Sequence, residues 1–246
     1  MSEQLLLNLP RYETQAVEQG DINHAFVGDC TPMGQSDDAK KKLWLWSLKA
    51  GGRGVWFKRP LEVLAFHLLS SDRNCKEIEE RPFSEGFPYE DIAWYRFVVG
   101  TRSFDGKECL WGVEITSDLR PDGEGGLRPR NWHLVQEWSR LTGHLCAYVR
   151  ESDIFAHRVL IENWRKVMAG VKQAHDDPDD SLRNEICALA EHPEGVSIEQ
   201  LEWLIDADPN DTYNQICWLI HENRLLTDLS MKPLNDQYIV HSTRVH

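Results

Sequence analysis

Glu108-Cys-Leu-Trp-Gly-Val-Glu-Ile-Thr116 decides how the first half of this chain is read. The stretch follows Ser103-Phe-Asp-Gly106, a turn signal, so it forms the second arm of a hairpin (107–116) whose first arm covers 92–101. Side chains alternate along a strand, so Glu114 and Thr116 share one face while Val113 and Ile115 take the other. Upstream, Cys75-Lys-Glu-Ile-Glu-Glu-Arg-Pro-Phe83 reads as another strand. Before it, Pro60-Leu-Glu-Val-Leu-Ala-Phe-His-Leu-Leu69 reads as a helix over 60–70, opened by a proline in its first turn and carrying Glu62. Residues 60–116 are therefore expected as helix, strand, strand, strand.

Further out, Leu43-Trp-Leu-Trp-Ser-Leu48 and Val55-Trp-Phe57 read as two short strands around the turn Ala50-Gly-Gly-Arg-Gly54. Downstream, 119–129 reads as a Gly-rich charged loop. Trp132, Val135, Trp138 and Leu141 recur at helical spacing over 130–142. Leu145-Cys-Ala-Tyr-Val149 is a short buried strand, and 155–171 a second helix. These alternations predict an α/β fold: a mixed sheet with helices packed on it. Residues 1–39 read as an irregular arm and 40–172 as the sheet domain. The acidic, Pro-broken stretch 173–181 reads as a linker. After it come helices at 182–191, 198–207 and 212–222. Ser197 and Gln200 form a capping box before the second, and Asp211 is the expected cap of the third. Two short strands, 225–228 and 238–241, complete a small α+β winged helix-turn-helix pattern over 182–246.

Composition narrows the function. The chain has 246 residues and a formal net charge of −13, which argues against a general nucleic-acid coat and leaves room for a local basic patch. Six cysteines lie scattered with no CxxC pair, so zinc ribbons and thioredoxin motifs are excluded, and the thiols read as small hydrophobes in a reducing cytoplasm. The histidines show no zinc-binding spacing, and there is no P-loop or GxSxG. The opening residues lack a basic n-region and a cleavage site, and no run approaches the roughly 20 apolar residues that cross a bilayer, so neither signal peptide nor membrane is expected.

The order of these pieces, from about residue 43 to 242, resembles the TnsA family, the endonuclease-like subunits of heteromeric Tn7-like transposases. The resemblance rests on Pro60-Leu-Glu62-Val-Leu-Ala-Phe66, on Asn74-Cys-Lys-Glu-Ile-Glu-Glu-Arg-Pro82, on the hairpin, on 132–142 with the strand before Asp153-Ile154, and on Cys217-Trp-Leu-Ile-His-Glu-Asn-Arg-Leu-Leu-Thr-Asp-Leu229. It implies a restriction-endonuclease-like domain of the PD-(D/E)xK kind followed by a winged helix. It further implies action at transposon-end DNA beside a DDE-type transposase, with the C-terminal part engaging an AAA+ transposition regulator.

Carried over residue by residue, Glu62 matches the helix carboxylate and Glu114 the acidic position of the strand end. The two would share a cleft and hold Mg2+ or Mn2+ if the enzyme is active, since Mg2+ accepts one or two carboxylates and keeps its remaining waters. Helix-start glutamates are also favoured by the helix dipole alone. The family's strand Asp should fall within 95–98, where no residue is acidic. Asp91 is the nearest relocated candidate. Thr116 stands where the family has Lys, and losing such an electrostatic stabiliser costs roughly 100- to 1,000-fold in rate. Lys58, Arg59, Arg96, Arg128 and Arg130 flank the expected cleft and suit phosphate contact. In the C-terminal part only Asn214, Gln215 and Asn223 could read bases, which points to protein binding there. Three readings follow: a TnsA-like subunit with a degenerate site, an active divalent-metal endonuclease nicking 5′ transposon ends, and a non-catalytic adaptor.

Overall fold

The computed structural model describes residues 43–80, 97–121, 123, 126–130 and 132–243. It is a mixed α/β protein with two compact units, residues 43–45 with 49–156, and residues 46–48 with 157–243.

In the first unit, β1 (Leu43–Ser47) and β2 (Arg53–Phe57) form a two-stranded sheet. The helix α1 (Pro60–Ser70) begins where the sequence places it, with Pro60 in the first turn. Its C-terminal end is held by Lys49, whose Nζ donates to the Ser70 and Asp72 carbonyls at 2.6 and 3.0 Å. This is a cation at the negative end of a helix. Three antiparallel strands follow: β3 (Cys75–Glu80), β4 (Phe97–Ser103) and β5 (Glu108–Glu114). The β4–β5 hairpin closes at the expected turn; the expected strand residues 81–83 and 92–96 lie outside the described residues. After α2 (Trp132–Thr142), β8 (Leu145–Arg150) runs parallel to β5, giving the order β3-β4-β5-β8. On one sheet face Phe97, Leu110, Cys146 and Tyr148 pack with Trp132, Val135 and Trp138 of α2. The buried face of α1 lies in a different setting, with Phe66 against Phe57 of β2 at 5.3 Å between ring centres.

The stretch expected as a loop is a second small hairpin, β6 (Leu119–Pro121) and β7 (Leu127–Pro129), paired Leu119↔Pro129, Arg120↔Arg128 and Pro121↔Leu127. Prolines suit such an isolated edge ribbon, where missing N–H donors cost little.

The helix expected at 155–171 is two helices, α3 (Glu151–Ala156) and α4 (Arg158–Asp176). The start is earlier because Asp153 accepts the Arg150 N–H at 3.1 Å, a side-chain cap of the kind that begins helices. The end is later because Pro178 is the first breaker, and the residue before a proline avoids helical geometry. Accordingly the division between units falls at Ala156/His157, ahead of the acidic 173–181 stretch, and α4 belongs to the second unit.

That second unit holds α5 (Asp180–Leu189), β9 (Val196–Ser197), α6 (Ile198–Leu204), α7 (Pro209–His221), β10 (Leu225–Leu226) and β11 (Ile239–Ser242). The strands form one sheet ordered β10-β11-β9. Ser197 and Gln200 make the expected capping box. The cap of α7 is Asp208, accepting from Asn210 N–H, and not Asp211, because Pro209 fits the first helical position directly after it. Trp164, Val167, Met168 and Val171 of α4 join Ile216, Cys217, Leu219 and Ile220 of α7 in a single core, with Trp46 and Leu48 packed on it. A Cβ on Gly170 would stand 2.7 Å from Cys217 Cβ and Sγ, so glycine permits this helix approach.

Candidate functional site

Glu62 sits at 2 % exposure in the first turn of α1. Its Oε2 accepts the backbone N–H groups of Lys58 (3.0 Å) and Arg59 (3.3 Å). A helix leaves its first N–H donors without partners inside the helix, and a carboxylate three residues in can turn back to the cap. Glu62 does this, and so fixes the path of the chain entering α1. Lys58 and Arg59 are themselves exposed at that positive helix end.

Glu114 is the last residue of β5 and half-buried. By alternation it projects to the face of Leu110 and Gly112, whose strand partners are Cys146 and Tyr148. That face carries the α2 cluster, in which no α1 residue takes part. Strand alternation therefore does not supply the shared Glu62–Glu114 cleft expected from the sequence.

Beside Glu114, in register, stands Arg150, the last residue of β8. Its guanidinium is held by Asp153 through Nε–Oδ2 (2.9 Å) and Nη2–Oδ1 (2.7 Å). Thr116 begins a 3-10 turn (Thr116–Asp118) just past β5. Its Oγ1 and N–H both donate to Glu151 Oε2, at 3.1 and 3.3 Å. The ends of the parallel pair thus gather Glu114, Thr116, Arg150 and Glu151. The last two were missed because they belong to a separate strand and helix, and parallel pairing across a crossover is invisible to local periodicity.

Among the described residues no group of three or more His, Cys, Asp or Glu is placed to hold a metal ion. The expected ligand pair, Glu62 and Glu114, is smaller than that, and one Glu62 oxygen already receives two N–H donors. Asp91 and Arg96 lie outside the described residues.

The cations make a second arrangement. Arg128 in β7 lies directly opposite Arg120 in β6, and the exposed Arg130 follows. Like charges opposite one another on a ribbon repel unless an anion comes between them. Arg120 is turned onto the Ser117 and Leu119 carbonyls at 2.8 and 2.7 Å, while among the described residues Arg128, Arg130 and Lys58 form no ion pair. The signal for Arg120 was present: Leu-Arg-Pro occurs at 119–121 and again at 127–129, flanking a Gly-rich turn. The ribbon is anchored by Tyr148 Oη donating to the Leu127 carbonyl at 3.2 Å.

In the second unit one of the expected base-reading residues is buried and the other two are half-buried. Gln215 is 2 % exposed, accepts from Arg183 Nε at 2.6 Å and donates to the Asp177 carbonyl at 3.0 Å. Asn214 is half-buried, and Asn223 is spent on the left-handed turn after α7 at φ 58°. Residues 157–246 hold sixteen Asp and Glu against eight Lys and Arg, a net −8.

Four described cysteines, 75, 146, 187 and 217, are buried and Cys109 is half-buried. Burial pushes the Cys75 thiol up to about 11 and Cys217 up to about 12, so neither is a nucleophile near neutrality. No helix among the described residues is long and apolar enough to cross a membrane. Comparison with protein-family models and with curated proteins finds no match to the chain.

Proposed function

We propose that the chain is a TnsA-like subunit of a DNA transposition machinery, acting at transposon ends beside a DDE transposase, with its endonuclease site degenerate. The topology supports the fold half of this reading. A helix, three antiparallel strands, a helix and a fourth strand parallel to the third agree with a restriction-endonuclease-like domain. Three helices closed by a three-stranded sheet agree with a winged helix.

The observation that carries the degenerate-site reading is Thr116. Where the family resemblance calls for a lysine, this hydroxyl is tied to the Glu151 carboxylate. A threonine cannot offset charge developing on a phosphate, and a neighbouring carboxylate opposes it. The cation in register with Glu114, Arg150, is committed to Asp153. What remains suited to DNA is binding: Lys58, Arg59, Arg128 and Arg130 as phosphate contacts, with Arg120 added to the expected set.

The adaptor reading gains weight from the second unit. Its helix α7 is packed into the core, residues 157–246 carry a net −8, and protein is the better-suited partner; an AAA+ regulator is the class implied by the resemblance. Should the site be active after all, Mg2+ or Mn2+ would be the cofactor, with Glu62 and Glu114 as ligands.

The test is a plasmid-nicking assay with Mg2+ or Mn2+, alone and with a DDE transposase partner. It is run beside calorimetric metal titration, on wild type and on Glu62→Ala/Glu114→Ala. The expected result is no nicking by either protein, with duplex binding retained. Metal-dependent nicking that disappears in the double variant would overturn the degenerate reading in favour of the active one.

A further inference from the structure

Residues 43–61 contain four Lys and Arg and no Asp or Glu, in a chain with forty carboxylates. Two of the four cations are occupied: Lys49 caps α1, and Arg53 makes a two-pronged pair with Glu80 at 2.7 Å on each prong. Lys58 and Arg59 remain exposed, held in place by the Glu62 carboxylate.

The same short sheet displays two large aromatic rings. Val55 and Phe57 of β2 turn inward at 0 % and 1 % exposure, so Gly54 and Trp56 take the outer face. Trp44 of β1 lies across Gly54: a Cβ there would meet the indole Nε1 at 2.0 Å. Trp44 and Trp56 are 53 % and 48 % exposed, with ring centres 6.3 Å apart and planes inclined by 56°. Trp is among the costliest side chains to leave in water, and two side by side mark a recognition surface. The absence of carboxylates on this segment, with cations directly after Trp56, selects an anionic partner that also carries flat rings.

The geometry points to a base-stacking site for single-stranded DNA on the outer face of the β1–β2 hairpin, formed by Trp44 and Trp56 with Lys58 and Arg59 beside them. Bases in a duplex already stack on one another, whereas an unpaired base offers its π-face to an indole. The cations hold the phosphates, and the rings take one or two unpaired bases without regard to sequence. This rests on the DNA-end reading above and adds that the end is held partly unpaired, just ahead of the helix that bears Glu62.

The experiment measures anisotropy of labelled oligo-dT, of a blunt duplex and of a forked duplex with the full-length protein. Variants are Trp44→Ala, Trp56→Ala, the double substitution and Trp56→Phe, each checked for native circular dichroism. Each alanine is expected to weaken oligo-dT binding about 5- to 150-fold. Fork binding should weaken too, blunt-duplex binding should stay unchanged, and Trp56→Phe should recover most of the loss. Duplex and oligo-dT binding that both ignore the tryptophans would overturn the stacking site and leave the DNA-end reading standing. Wild type that binds none of the three would remove both. A tryptophan effect seen only as a change in sedimentation, or only after removal of residues 1–39, would assign the face to a second copy or to the chain's own first segment and overturn the proposal.

Discussion

The Glu62 carboxylate is buried, and its Oε2 receives two backbone N–H groups, so deleting it strands both donors. Glu62→Ala is expected to lower stability by about 1–2 kcal/mol, in the range of lost helix caps. Glu62→Gln keeps one acceptor oxygen and should lose less. Urea denaturation with and without Mn2+ checks this, and the loss should be the same in both. A loss appearing only with metal would mean that the carboxylate serves a cation before it serves the helix. The position of Glu62 was legible because Pro60 marks the helix start. Its hydrogen bonding was not, since a motif specifies a residue type and says nothing about which donors the folded backbone brings to it. Thr116 shows the converse. Its departure from lysine is plain in the sequence, but its partner Glu151 is 35 residues away and reaches it only because β8 pairs with β5.

Among elements, α4 and α7 come closest at Gly170 against Cys217. Gly170→Ala would normally help a helix, by about 1 kcal/mol. Here its Cβ meets another Cβ that cannot swing aside, and overpacking costs about 1–3 kcal/mol. A net destabilisation is expected by thermal or chemical denaturation, with Cys217→Ala relieving only the part due to sulfur. An unchanged or raised midpoint would show that the helices separate at little cost. The starts at Pro60 and at Ser197 with Gln200 were readable, whereas those of α3, α5 and α7 were passed over although Asp153, Asp179 and Asp208 cap them. The break between α3 and α4 was not readable, because Ala156-His157-Arg158 contains neither Gly nor Pro and His157 supplies no side-chain cap. Likewise β9 is two residues long, too short for any period to register, and exists because Val196 and Ser197 pair with Val240 and Ile239.

For the molecule as a whole, the mixed α/β class followed from alternating periods, but the partition did not. Contacts assign Trp46–Leu48 to the unit made by 157–243, so that unit is discontinuous in sequence. Trp46 packs on its core, 5.4 Å from the His175 ring. Trp46→Ala is expected to cost about 1–3 kcal/mol, less than the ~3–5 kcal/mol of a fully buried Trp. Hydrogen exchange should locate the loss in α4 and α7 as well as in β1. Loss of protection confined to β1 would show that the strand contributes nothing to the second unit. Discontinuity also has a consequence during synthesis. Residues 46–48 leave the ribosome before all of 49–156, and their resting place is made only from the last third of the chain. Domains generally fold in the order they emerge. The Trp46 and Leu48 side chains meet the core they pack on only when translation is nearly over, so a chain stalled after residue 156 would leave an indole and a leucine without that packing.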